Sequence, residues 1–195
     1  EPNVGFWKPT PNATEYGELA LAVGKSVRSA APDAVFVGPT TAGIDLEFME
    51  TVFKMGALEY FDAVTCHPYR TSNPETVQYD YDSLRALIAT YTPPSRPFLP
   101  IISSEWGYTT CESPCQPGGP QVTELVQALY AVRRYGIDDL KHIPISITYD
   151  WHDDFDNKTA REANFGSVRN QYQNASLPFL PKPEYIAAKT FHNTL

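Results

Sequence analysis

Two glutamates stand where a carboxylate can do chemistry. Glu1 opens the stretch EPNVGFWKP, and Glu105 closes the apolar run of residues 98–106, FLPIISSEW. Hydrogen-bonding and aromatic side chains occupy comparable places: His67 and Tyr69 in HPY, Trp7 and Trp106 in the two glutamate segments, and Trp151 at the end of IPISITYDW. Two carboxylates facing one another among aromatic rings are what hydrolysis of a glycosidic bond requires. One acid protonates the leaving oxygen, and one carboxylate attacks the sugar or activates water. Flat rings suit the apolar faces of sugars. Taken singly, each feature is ordinary: a glutamate beside a tryptophan is most often a surface residue, HPY a strand end with a packed tyrosine, and a tryptophan a core residue.

Those side chains need elements to carry them. Thr14 is placed to cap a helix with Tyr16, Leu19, Ala20, Val23 and Val27 on one face, which Pro32 ends. Residues 34–40 (AVFVGPT) read as a strand, and Leu46, Met49, Val52 and Phe53 as a helix stopped by Gly56. The alternation continues with a strand over 61–69, a helix with Leu84, Leu87, Ile88 and Tyr91, and a strand over 98–106. A helix burying Val122, Leu125, Val126, Leu129 and Val132 follows, capped by Gly136, then a strand over 143–151 and a helix opening at Pro183. Four apolar strands alternating with five helices make the class α/β, with a parallel sheet buried on both faces. His67, Tyr69, Glu105, Trp106 and Trp151 then lie at or just beyond the C-terminal end of a strand, the catalytic rim of a parallel barrel. Glu1, with no strand before it here, precedes a turn-prone loop and a helix as a strand end would. The connections over 109–120 and 152–181 are longer than ordinary ones, as functional loops are.

The 195 residues suffice for one domain with a sizeable core. A net charge of −8 disfavours nucleic acid and anionic membranes, and no apolar run is long enough for a membrane span. Three sequons, at Asn12, Asn157 and Asn174, favour a secreted, N-glycosylated protein. Of three cysteines, Cys111 and Cys115 are spaced to staple a loop, and Cys66 reads as a buried thiol. Asp153, Asp154, Asp156 and Asn157 offer closely spaced oxygens, but the glycine and distal glutamate of a calcium loop are missing. No metal and no cofactor are expected. No Gly-x-Ser-x-Gly elbow supports an α/β hydrolase.

The order of the motifs is more specific than any one of them. EPN, followed by strands ending in HPY, SEWGY and YDW, resembles the second half of the catalytic barrel of clan A glycoside hydrolases, most closely family 39 and related family 5-like enzymes. The resemblance covers residues 1–195. It implies the C-terminal half of a TIM (β/α)8 barrel, from the end of strand four through strand eight and the final helix, PKPEYIAAKTF. It implies Glu1 as general acid/base and Glu105 as nucleophile, Tyr69 and His67 bonding near the nucleophile to hold it ionised, and Trp151 as the floor of the sugar site. The mechanism implied is retaining, with carboxyl groups about 5 to 5.5 Å apart. The asparagine that precedes the acid in the family pattern, and strands one to four, lie outside these residues. The implied partners are therefore a carbohydrate and the N-terminal half of the barrel. An alternative from another class is a catalytically silent barrel serving as a carbohydrate-binding or structural module of an extracellular assembly.

Overall fold

The computed structural model describes residues 1–116, 121–170 and 176–194. Its elements are α1 (Ala13–Ala30), β1 (Thr41–Ala42), α2 (Leu46–Lys54), β2 (Val64–His67), α3 (Val77–Tyr91), β3 (Ile101–Trp106), α4 (Glu124–Leu140), β4 (Ser146–Thr148) and α5 (Pro183–Thr194). The strands stand in the order β1-β2-β3-β4, with β1 parallel to β2 and β2 parallel to β3. Parallel strands joined by helical crossovers are the α/β arrangement expected. No helix among the described residues is long and apolar enough to cross a membrane. The chain divides into two compact units.

The first unit comprises residues 1–68, 77–104 and 141–146. Its core is aliphatic and aromatic: Met49, Val52 and Phe53 of α2, Val64 and Cys66 of β2, and Tyr81, Leu84 and Ile88 of α3 are all buried. Cys66 is a buried thiol within that core, outside the disulfide. Helix α1 begins two residues earlier than its sequence suggests. Asn12, not Thr14, is the cap, its Oδ1 accepting from the amides of Thr14 and Glu15. The buried stripe of α1 is Gly17, Ala20 and Gly24, while Leu19 is 50% exposed. A Cβ at Gly24 would lie 2.6 Å from the Tyr60 side chain, so the close approach of helix to chain selects glycine there.

The strand expected over 34–40 is interrupted. Phe36 and Gly38 do follow β2, with Asp62 N donating to Phe36 O at 2.7 Å and Gly38 N to Ala63 O at 3.2 Å. Pro39 has no N–H to continue the ladder, and the regular strand is confined to Thr41–Ala42. Burial works against the charge of Asp62, but hydrogen bonds from Arg28, the Phe36 amide and Arg96 outweigh it and hold the carboxyl at about 2.

The second unit comprises residues 69–76, 105–140 and 147–195. Here the sequence pattern misleads. In α4 the buried positions are Gln127, Ala128, Ala131, Arg134 and Asp138, while Leu125 and Leu129 are 64% and 54% exposed. The polar residues can turn inward because each has a partner. Arg134 Nε pairs with Asp138 Oδ1 at 2.9 Å, and Gln127 Nε2 donates to the carbonyls of Tyr108 and Phe165. Gly136 lies inside the helix, which runs on to Leu140. The last strand is also not buried on both faces as expected: Ile147 is 49% exposed, because β4 stands at the end of the strand order.

Cys111 and Cys115 form the disulfide, and the loop they close is zipped to residues 157–164. Glu112 N donates to Lys158 O, and Gln116 N to Thr159 O, both at 2.6 Å.

Helix α5 opens with a buried acid. Glu184 is 2% exposed, and its Oε2 has no hydrogen-bond partner among the described residues. Burial pushes its carboxyl up from 4.5 to about 8 against the opposing pull of Lys182. The folded state therefore binds a proton that the unfolded chain releases above its ordinary value. Stability from this group is full at acid pH and is lost as pH rises toward about 8, by at most about 1.4 kcal/mol per pH unit. Glu184→Gln should remove that slope, which urea unfolding across mildly acid to mildly alkaline pH will measure.

Candidate active site at the strand ends

Consecutive residues of a strand point to opposite faces, so Glu105 and Trp106 cannot share one. Trp106 takes the core side. It is 1% exposed, packs on Ala131, meets the Tyr135 ring edge-on at 5.1 Å and lies 5.0 Å beneath the Arg134 guanidinium. Of the two readings open to Trp106, sugar platform and core residue, its burial corrects the first and leaves the second. Glu105 faces the other way, where Tyr69 Oη donates to its Oε1 at 2.6 Å. Burial, then the contact with Glu105, pushes the Tyr69 phenol far above its ordinary value, so Tyr69 remains a donor at any working pH.

Two side chains not singled out in the sequence complete this cluster. Phe165 is buried and meets Tyr69 edge-on at 5.9 Å and Tyr149 at 5.5 Å. The Tyr149 phenol is raised to about 12 by burial and by the carboxylates of Asp154, Asp150, Glu162 and Glu105. Tyr149, directly after β4, is thus the aromatic beside Tyr69 and Glu105. Trp151, two residues later, is 58% exposed and packs edge-on against Tyr185 of α5 at 6.1 Å. It lines a cavity of about 280 Å³ with Tyr135, Thr148, Asp150 and Ser167.

In the first unit, Glu1 Oε1 lies 2.8 Å from His67 Nδ1 at the end of β2. Asn3 pins the segment behind it. Its side chain accepts from Ala42 N at 2.8 Å and donates to Ala42 O and to Asp45 Oδ2. Within the first unit His67 bonds to Glu1, and within the second Tyr69 bonds to Glu105. Trp7 is half-buried, its Nε1 donating to Glu15 Oε2 at 3.0 Å and its ring edge-on to Tyr16, which ties it to α1.

The remaining candidates have local structural roles. Asn157 Oδ1 accepts from the amide and hydroxyl of Thr159, and Asn12 caps α1. Asn174 lies outside the described residues. Asp153 is ion-paired with Lys182 at 2.6 Å. The carboxyl of Asp154 is raised by burial and by the neighbouring Asp150.

No protein-family model and no curated protein sequence matches the chain. Solved structures do. A family 39 glycoside hydrolase from the gut symbiont Bacteroides cellulosilyticus WH2 is similar with a TM-score of 0.77 and 22% identity, over 98% of this chain and 39% of its own. A family 39 β-xylosidase from Caulobacter crescentus gives 0.69 and 24% over 99% and 40%. An α-L-arabinofuranosidase from Thermotoga maritima gives 0.67 and 14% over 90% and 35%. The chain spans about two fifths of the length of the first two. What is shared is the fold, that of part of a glycoside hydrolase TIM barrel, with the strand and helix order of its C-terminal half.

Gly107 makes the cluster possible. A Cβ there would lie 2.1 Å from the backbone oxygen of Tyr149 and 3.0 Å from the Phe165 ring. Gly107→Ala should destabilise the fold by about 3 kcal/mol, the upper end of the cost of overpacking, since the obstacle is backbone. Chemical unfolding of the variant checks it.

Proposed function

We propose that this chain supplies the catalytic strand ends of a retaining glycoside hydrolase acting on O-glycosidic bonds of a polysaccharide or glycoconjugate. The observation that carries the reading is the 2.6 Å hydrogen bond from Tyr69 to Glu105, a carboxylate at the end of a parallel strand aimed by a donor that does not titrate away. The fold supports it, because in such barrels the chemistry sits at the strand C-termini. Glu105 attacks the anomeric carbon while Glu1, oriented through His67, protonates the leaving oxygen. Glu1 then takes a proton from the water that hydrolyses the glycosyl ester on Glu105. Tyr69 fixes one carboxylate oxygen of Glu105, and Tyr149 offers its ring and hydroxyl to the sugar.

The half of the barrel that precedes these elements completes the site. The sequons and the Cys111–Cys115 disulfide support an extracellular, glycosylated protein.

The test is hydrolysis of aryl xylosides and arabinofuranosides by the polypeptide carrying the complete barrel. Glu105→Gln should abolish turnover. Tyr69→Phe should lower kcat/KM about 10- to 100-fold, the worth of a hydrogen bond to a charged group. Full activity in Glu105→Gln would overturn the reading, and so would an inactive parent barrel, which would leave a carbohydrate-binding module.

A further inference from the structure

The segment from β4 to α5 has little regular structure of its own, only a short 3-10 turn over Glu162–Asn164 among the described residues. Yet it presents Phe165 to Tyr69 and Tyr149 at defined angles. Something must hold it. We infer that the buried Asp153–Lys182 ion pair is a positioning device for the Tyr69–Glu105 contact, acting through Gly166 and Phe165. The inference rests on the reading of Glu105 as nucleophile.

The pair is built for direction rather than for stability. Both side chains are 1% exposed, and for such buried pairs the cost of removing two charges from water commonly offsets most of their attraction, so that apolar residues of similar volume often stabilise a fold as well. What an apolar pair lacks is a shared acceptor. Asp153 Oδ1 takes Lys182 Nζ at 2.6 Å and the Gly166 amide at 3.0 Å, and Nζ also reaches Thr110 Oγ1 at 3.2 Å. One oxygen thereby ties the start of the segment, its middle and the residue before α5.

The backbone repeats the same clamp. Ser167 N donates to Asp150 O, Asp153 N to Val168 O, Val168 N to Trp151 O, and Lys182 N to Ser167 O, all at 3.0 to 3.1 Å. Gly166 sits so close to the other strand of the clamp that a Cβ would be 2.1 Å from Asp153 N and 2.2 Å from His152 C. Its neighbour Phe165 is locked in turn: Gln127 Nε2 donates to its carbonyl at 3.2 Å, and the Arg161 guanidinium lies 5.8 Å over its ring. Phe165, so fixed, meets the Tyr69 ring edge-on, and the Tyr69 hydroxyl meets Glu105 Oε1. Neither Asp153 nor Lys182 is assigned contact with substrate in this scheme.

The experiment measures amide exchange, ring contacts and kinetics in the polypeptide carrying the complete barrel. In Asp153→Ala the Gly166 amide should exchange at least about 10-fold faster, while Ala131 in α4 reports any global loss and changes less. The Phe165–Tyr69 nuclear Overhauser contacts should weaken, and kcat should fall about 10-fold or more with KM little changed, the signature of a group that acts on the transition state. The double variant Asp153→Asn with Lys182→Met keeps the acceptor oxygen and leaves no charge unpaired. It should restore Gly166 protection and most of kcat.

Equal acceleration at Gly166 and Ala131 would reduce the pair to a structural role and overturn the inference. So would faster Gly166 exchange with the ring contacts and kcat unchanged. If the parent barrel hydrolyses no glycoside, the functional reading fails by itself, and the exchange and ring-contact measurements still decide whether the pair positions Tyr69.

Discussion

An extended strand must send neighbouring side chains to opposite faces, and in β3 that rule couples Glu105 to Trp106. Trp106 is the larger partner and has the firmer seat, buried against Ala131, Tyr135 and Arg134 of α4. Truncating a tryptophan so placed typically costs about 3 to 5 kcal/mol, far more than a surface carboxylate gains from any one orientation. The core therefore decides where Glu105 points. Tyr69 then orients the carboxylate on the face so chosen, and Phe165, Tyr149 and Gly107 pack around the two.

The two units solve the burial problem differently. The first is held by aliphatic and aromatic contacts, with its main charged cluster, Asp62 between Arg28 and Arg96, only partly buried. The second hides Gln127, Arg134, Asp138, Asp153, Lys182 and Glu184. Buried polar groups are tolerable only when paired, and pairing confers direction that apolar contacts lack. That suits a unit whose long loops must hold aromatic side chains against Glu105. The apolar residues α4 does not bury, Leu125 and Leu129, lie along a groove of about 520 Å³ with Pro183 and Ile186 of α5.

The sequence made legible whatever depends on local periodicity. Among the described residues, the five helices and the strands β2, β3 and β4 follow from apolar spacing and breaker residues, and Gly56 stops α2 with φ of +92°, as a left-handed cap should. Glu105 stood out because it ends an apolar run. The strand at 34–40 was overestimated because Val35, Phe36 and Val37 carry the β pattern while Pro39 removes the donor that would continue it. The inward face of α4 was misread because partners such as Tyr108 and Phe165 for Gln127 are distant in sequence.

The same limit applied to the candidate site. His67 and Glu1 are 66 positions apart, so spacing could not tell that their side chains would meet. Tyr149 was hidden by the larger Trp151 nearby, and Phe165 sits in a loop with no periodicity to mark it. The resemblance implied what spacing could not, Glu1 and Glu105 as the two halves of one proposed chemistry.

The central claim is that Glu105 is the nucleophile of a retaining hydrolase. The most direct measurement is to incubate the polypeptide carrying the complete barrel with a 2-deoxy-2-fluoro aryl glycoside and map the adduct by peptide mass spectrometry. A slowly hydrolysed glycosyl ester on Glu105 is the predicted result. An ester on another carboxylate, or turnover of the unsubstituted glycoside with inversion and no adduct, would contradict it.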